Sequence, residues 1–158
     1  MSYNIFFSHS GADKDWARWI AEAAKGVDIG VYLFEHDPQP GTQIAQKIKN
    51  AIQSSDALVV FLTAHGQSSA YVQQEIGFAE AHVKLIIPIV CVGTKRPSLA
   101  MLEGREYLLL DPANPQSALG TLVAWLQRLK AKKEATQAVL GFGALVVAAI
   151  LFAGKSSS

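Results

Sequence analysis

The spacing of apolar positions over the first 130 residues predicts strands and helices in alternation. Asn4–Ser8 is a short apolar run that stops at small polar residues, which predicts a strand. Ser10-Gly-Ala-Asp13 has the spacing of a capping box, and Trp16, Ile20 and Ala24 then recur on one helical face. Val31–Phe34 predicts a second strand. His36-Asp-Pro-Gln-Pro-Gly41 predicts a loop, because two prolines and a glycine continue neither a strand nor a helix. Ile44, Ile48 and Ile52 define the next helix. Asp56–Thr63 is continuously apolar after its first residue, as in a strand covered on both faces. Tyr71–His82 predicts a third helix, Leu85–Val92 a fourth strand and Tyr107–Leu110 a shorter fifth. Leu119, Leu122, Val123, Leu126 and Leu129 mark a final helix that runs towards a hydrophobic segment.

Antiparallel hairpin signals are missing and the connections are short. The expected fold is therefore α/β: a parallel sheet with helices on both faces. Five strands with a small first crossover suggest the flavodoxin-like order 2-1-3-4-5, plus a C-terminal hydrophobic helix. Ligands of such sheets sit at the carboxyl ends of the strands. Here those ends are the loops at Ser8–Ser10, Phe34–Gly41 and Thr63–Ser69.

The hydrophobic segment changes the picture. Ala135–Gly154 is a run of 20 uncharged residues, almost wholly apolar from Val139 to Phe152. As a helix it is roughly 30 Å long, about the hydrocarbon thickness of a bilayer. Lys130, Lys132 and Lys133 precede it and Lys155 follows. The excess of positive charge before the segment places residues 1–134 in the cytoplasm, with 131–158 as basic juxtamembrane segment and single-pass tail anchor in the cytoplasmic (inner) membrane. A buried helix or an oligomerisation segment is the alternative. Met-Ser-Tyr-Asn at the start has no basic region, so no signal peptide is expected.

Half the residues are apolar and 17% are charged, which excludes a disordered chain. The formal net charge of +1 argues against a nucleic-acid binder. It conceals an asymmetry: residues 1–129 hold 10 Lys/Arg against 12 Asp/Glu, and residues 130–158 hold four Lys against one Glu. One cysteine, Cys91, allows no internal disulfide, and its apolar strand reads as core. Dinucleotide and phosphate-loop glycine patterns are absent, as is the Gly-x-Ser-x-Gly elbow. Ser8 and Thr63 stand where a phospho-acceptor domain needs acids. His9, His36, His65 and His82 lack metal-ligand spacing with Cys91 and read as surface or loop residues, so no metal is expected.

One constellation carries chemistry. Ser68-Ser-Ala-Tyr-Val-Gln-Gln-Glu75 opens the third helix just after the strand ending at Thr63. Tyr71 and Glu75 are i and i+4 and share a helical face. Spacing alone leaves Glu75 open between a carboxylate at the ligand-binding edge and a solvated helix residue.

The run Tyr3-Asn-Ile-Phe-Phe-Ser-His-Ser10 resembles the opening strand of a Toll/interleukin-1 receptor (TIR) domain. Asp37-Pro-Gln-Pro-Gly41 matches the position of that family's BB loop. Ser69–Glu75 is similar to the Ser-x-Trp-x-x-x-Glu segment of catalytic members, with Phe78 and Ala79 continuing the helix, and Ile86–Val90 resembles the family's fourth strand. The resemblance spans residues 3–130, giving a TIR domain over 1–130. Tyr71 departs from the Trp of many catalytic members; tyrosine keeps a stacking face, with weaker stacking expected.

The resemblance implies an NAD+ nucleosidase or cyclase that cleaves the nicotinamide–ribose bond, with NAD+ as substrate and no further cofactor. It yields ADP-ribose or a cyclic isomer. Glu75 takes the catalytic role and Tyr71 stacks near the nicotinamide. Phe7, Ser8, His9 and Ser10 line the pocket from the first loop, Phe34, His36 and Asp37 approach from the second strand and BB loop, and Ser68 borders the site. It also implies self-association, activation by assembly, and a Thoeris-like role in bacterial anti-phage defence with an effector or sensor partner. A non-catalytic TIR adaptor acting through TIR–TIR contacts is the alternative; a secreted mimic of host adaptors is a third, disfavoured by the tail anchor.

Overall fold

The computed structural model describes residues 2–34, 43–94 and 103–155. Among them, five parallel strands form one sheet in the order β2-β1-β3-β4-β5. These are β1 (Tyr3–Ser8), β2 (Ile29–Leu33), β3 (Ala57–Leu62), β4 (Leu85–Cys91) and β5 (Leu108–Leu110). The helices are α1 (Lys14–Lys25), α2 (Ile44–Ser54), α3 (Ala64–Ser68), α4 (Ala70–Ala81) and α5 (Pro115–Lys155). The expected α/β class, strand order and long apolar C-terminal helix are all present.

Alternation along β1 assigns the two layers. Tyr3, Ile5 and Phe7 point to the layer of α1 and the first half of α5, where Ile20, Ala24, Leu122 and Leu126 are buried. Phe6 points to the opposite layer, with Ile48 and Ile52 of α2 and Val72, Ile76 and Ala79 of α4. β3 is buried along its whole length, because both of its faces are covered. Phe6, Phe7 and Phe61 are fully enclosed, and burial of each contributes about 1.5–3 kcal/mol.

The structure corrects the sequence reading at several places. β2 begins two residues earlier than expected, because Tyr3 pairs with Ile29. The capping box does not form. The Ser10 hydroxyl donates to the Asp13 carboxylate at 2.6 Å instead of accepting a backbone N–H. Thr63 donates to the same carboxylate oxygen at 2.6 Å, so Asp13 is drawn inward. A 3-10 turn over Gly11–Asp13 precedes α1 as a result. α3 was not expected; Thr63 caps it by accepting from the N–H groups of His65 and Gly66, both at 3.1 Å. Cys91 is half-buried against the α1/α5 layer, and burial, mainly, pushes its thiol up.

α5 is a single helix of 41 residues, roughly 60 Å long. Its first half packs on the sheet; Val139, Leu140, Phe142, Leu145, Leu151 and Phe152 in the second half are exposed. It is the one helix among the described residues long and apolar enough to cross a membrane.

Candidate active site

α4 presents one buried stripe to the sheet: Val72, Glu75, Ile76 and Ala79. Three of these are apolar and the fourth is an acid, only 4% exposed. The Ser8 hydroxyl, at the end of β1, donates a hydrogen bond to Glu75 Oε2. Burial pushes the Glu75 carboxyl up from its ordinary 4.5 to about 7, against the smaller opposing effect of the Ser8 hydrogen bond. The acid is therefore poised between its neutral and ionised forms near neutral pH.

Glu75 opens onto a cavity of about 540 Å³ between α2 and α4. Ile44, Ile48 and Lys49 of α2 line one side, and Tyr71, Glu75 and Phe78 of α4 the other. Tyr71 stands on the rim at 57% exposure. The Lys49 ammonium lies 5.8 Å from the centre of the Phe78 ring, a cation–π contact, and is the cationic group among these residues. The wall is thus mostly apolar, with one carboxyl, one phenol at the rim, one ammonium and the amides of Gln43, Gln46 and Gln74.

The residues singled out in the sequence are distributed unevenly around this cavity. Glu75 and Tyr71 line it, as their shared helical face predicts. Ser8 reaches it through its hydrogen bond to Glu75. Phe34, just past β2, packs in the α2/α4 layer. Phe7 is placed elsewhere: it faces the α1/α5 layer, on the far side of the sheet. His9 is buried at 1% exposure, with Nδ1 2.7 Å from the Ser10 carbonyl oxygen, rather than on the surface. Ser10 is taken up by Asp13. Ser68 ends α3, exposed, and its hydroxyl donates to the carbonyls of Ala64 and His65 at 3.0 and 3.2 Å. The helix is capped by Ser69 instead, whose hydroxyl oxygen accepts from the Val72 N–H at 3.4 Å. His36 and Asp37 lie outside the described residues. The contributions of Lys49 and Phe78 were missed, because their meeting depends on how α2 and α4 pack.

The arrangement suits a ligand group on which positive charge develops: the single carboxyl sits in a largely apolar surround where its charge is weakly screened.

Residues 5–123 match the family model of the TIR domain. Among solved structures, the chain is similar to the TIR domain of the Toll-related receptor TRR-2 from Hydra magnipapillata. The identity is 18% and the TM-score 0.64, over 80% of this chain and 99% of that one. It is also similar to a metazoan TIR-STING receptor from C. gigas, at 20% identity and TM-score 0.60, over 75% of this chain and 38% of that one. A third is the CMP N-glycosidase BcmB of Clostridium botulinum, at 16% identity and TM-score 0.56, over 75% of this chain and 97% of that one. No curated protein matches the chain. With the family model covering three-quarters of its length and the sheet order in agreement, the chain belongs to the TIR-domain family.

Proposed function

We propose that this TIR domain cleaves the nicotinamide–ribose bond of NAD+ and that α5 anchors it in a membrane with the domain on the cytoplasmic side. The observation that carries the reading is Glu75: a buried carboxyl, held by Ser8, at the floor of a cavity with an aromatic rim. The name of BcmB adds support, since an N-glycosidase shares this fold.

The chemistry asks little of the protein. Nicotinamide in NAD+ carries a positive charge on its ring nitrogen. As the bond to the ribose breaks, the electron pair moves to that nitrogen, which leaves neutral without a general acid. Positive charge develops on the ribose as an oxocarbenium-like state. An ionised Glu75 stabilises that charge and accepts hydrogen bonds from the ribose hydroxyls. Ser8 fixes the orientation of the carboxylate, and Tyr71 stacks on the departing ring. Capture by water gives ADP-ribose; capture by a nucleophile of the substrate itself gives a cyclic isomer, and either step releases one proton.

A bacterial anti-phage role, with self-association as the switch and a separate effector or sensor, completes the proposal. Such a role suits a domain whose tail concentrates it in two dimensions.

The test is to incubate the full chain, clustered on liposomes, with NAD+ beside Glu75→Ala. Nicotinamide and its co-product are followed by chromatography and mass. Release by the parent chain and not by the variant is the expected result, and a difference of one water separates hydrolysis from cyclisation. Equal traces from both proteins, with assembly intact, would give the site to the adaptor reading.

A further inference from the structure

Two lysines tie the domain to α5 just before its apolar half. Lys133 donates to the Ser2 carbonyl at 3.1 Å and to Asp56 at 3.0 Å. Lys130 donates to the Asp28 carbonyl and carboxylate, and pairs with the latter. Ser2, Asp28 and Asp56 each immediately precede a strand: β1, β2 and β3. Both lysines therefore bind α5 to the edge where the strands begin. The Asp56 carboxylate also accepts from the Asn4 N–H at 2.8 Å, which ties the anchor point into β1. No proline follows Pro115 in α5, and the helix runs unbroken through this junction.

Distances along the chain set the geometry. Val139, where the apolar stretch begins, lies six residues beyond Lys133, so the strand-starting edge lies within about 9 Å of the apolar span, close to the depth of the lipid headgroups. Pro115 lies 18 residues before Lys133, roughly 27 Å up the helix axis. Ser8 stands five residues beyond Tyr3, roughly 17 Å along β1 from that edge.

We propose that the strand-starting edge of the sheet rests on the bilayer headgroups, clamped there by Lys130 and Lys133, so that the edge bearing Glu75 and its cavity faces away from the membrane. This rests on the membrane-anchor reading of α5 and not on the NAD+ chemistry. One consequence follows from symmetry. Copies in the same leaflet stand with parallel axes, so domain contacts run side by side and are related by rotation about the membrane normal. Pairs facing cavity to cavity across an axis in the membrane plane are excluded.

The test uses the full chain in vesicles of phosphatidylcholine and phosphatidylglycerol, in a Cys91→Ala background. A spin label is placed at Ser2→Cys or at Gln116→Cys, and relaxation by nickel-chelating headgroup lipids is measured. Relaxation at position 2 should exceed that at position 116 several-fold. Inserting four Gly/Ser residues after Glu134 should shrink that ratio, by freeing the domain. Equal relaxation at both positions in the uninterrupted chain, or more at 116, overturns the orientation while leaving the anchor in place. Failure of the unlabelled chain to float with vesicles overturns the anchor and the orientation together.

Discussion

Replacing Glu75 by glutamine removes a charge while keeping the shape of the side chain, and the chain should become inactive and more stable at once. The folded chain holds the Glu75 proton up to about pH 7, whereas the unfolded chain releases it near 4.5. Between those values the folded state binds more protons, so stability falls as pH rises. The contribution is fully present below pH 4.5 and is lost as pH climbs through 7. At about 1.4 kcal/mol per pH unit, an interval of about 2.5 units amounts to about 3 kcal/mol. For a chain of this size that corresponds to about 6–12 °C in Tm. The amide of the variant still accepts the Ser8 hydroxyl, but its NH2 group is newly buried and removes part of the gain. The readout is therefore the difference between the two stability curves as a function of pH, in which any constant offset cancels. Thermal scans of the full chain in detergent micelles, followed by circular dichroism from pH 4 to pH 8.5, provide it. The variant should gain steadily on the parent between about pH 4.5 and 7 and keep its advantage above. A difference that stays flat across this range would refute the assignment of Glu75 as a buried, proton-holding acid.

The pH dependence of kcat/KM for nicotinamide release should rise with an apparent pKa near 7, because the ionised carboxylate is the working form of the free chain; a profile flat from pH 5.5 to 8.5 would count against it. Asp13→Ala removes the acceptor shared by Ser10 and Thr63 and should destabilise the domain by about 2–3 kcal/mol in denaturant titrations; a loss below about 0.5 kcal/mol would mean the two hydroxyls find equal partners elsewhere. Val83 has φ 53°, a left-handed value that a β-branched residue tolerates poorly, at the C′ position of α4. Its N–H bonds Glu80 and that of Lys84 bonds Ala79, so Val83→Gly should stabilise the chain by about 1 kcal/mol by the same titration. Deleting residues 135–158 should lower NAD+ turnover at equal protein in the presence of liposomes; undiminished turnover would separate the tail from activation.

Much of this structure is legible in the sequence, and the unread parts share a cause. The continuous apolar run of β3 announces a strand covered on both faces, and the four-residue recurrences of Ile44, Ile48 and Ile52 give α2 its buried stripe. The alternation of elements gives the parallel sheet. What escapes is side-chain traffic between elements. Ser10 and Asp13 satisfy a capping pattern, yet the Ser10 hydroxyl donates to the Asp13 carboxylate, which also accepts from Thr63, fifty residues away. Phe7 adjoins Ser8 in sequence but alternation turns it to the opposite layer. His9 reads as a loop residue and is buried. For Glu75 a signal was present: Val72, Ile76 and Ala79 form the apolar stripe of α4, and position 75 falls within it. The spacing is compatible with a buried acid there, and the structure decides it by burying Glu75 on that stripe.

That placement also bears on the choice between enzyme and adaptor. A scaffold gains nothing from a carboxyl that weakens the fold at neutral pH; Gln at position 75 would keep the Ser8 hydrogen bond without the charge. An NAD+-cleaving site does gain. The nicotinamide cation favours the ionised form of Glu75, so substrate binding should draw the proton off and lower the pKa of the carboxyl below its value of about 7 in the free chain. The limb seen in kcat should then lie at lower pH than the limb seen in kcat/KM. A ligand of the same shape with an uncharged ring would not shift it. Substrate charge, the buried acid and the apolar cavity wall then act together: the wall raises the resting pKa, the cation reverses it, and the same weakly screened surround strengthens the carboxylate's hold on the ribosyl cation as the bond breaks.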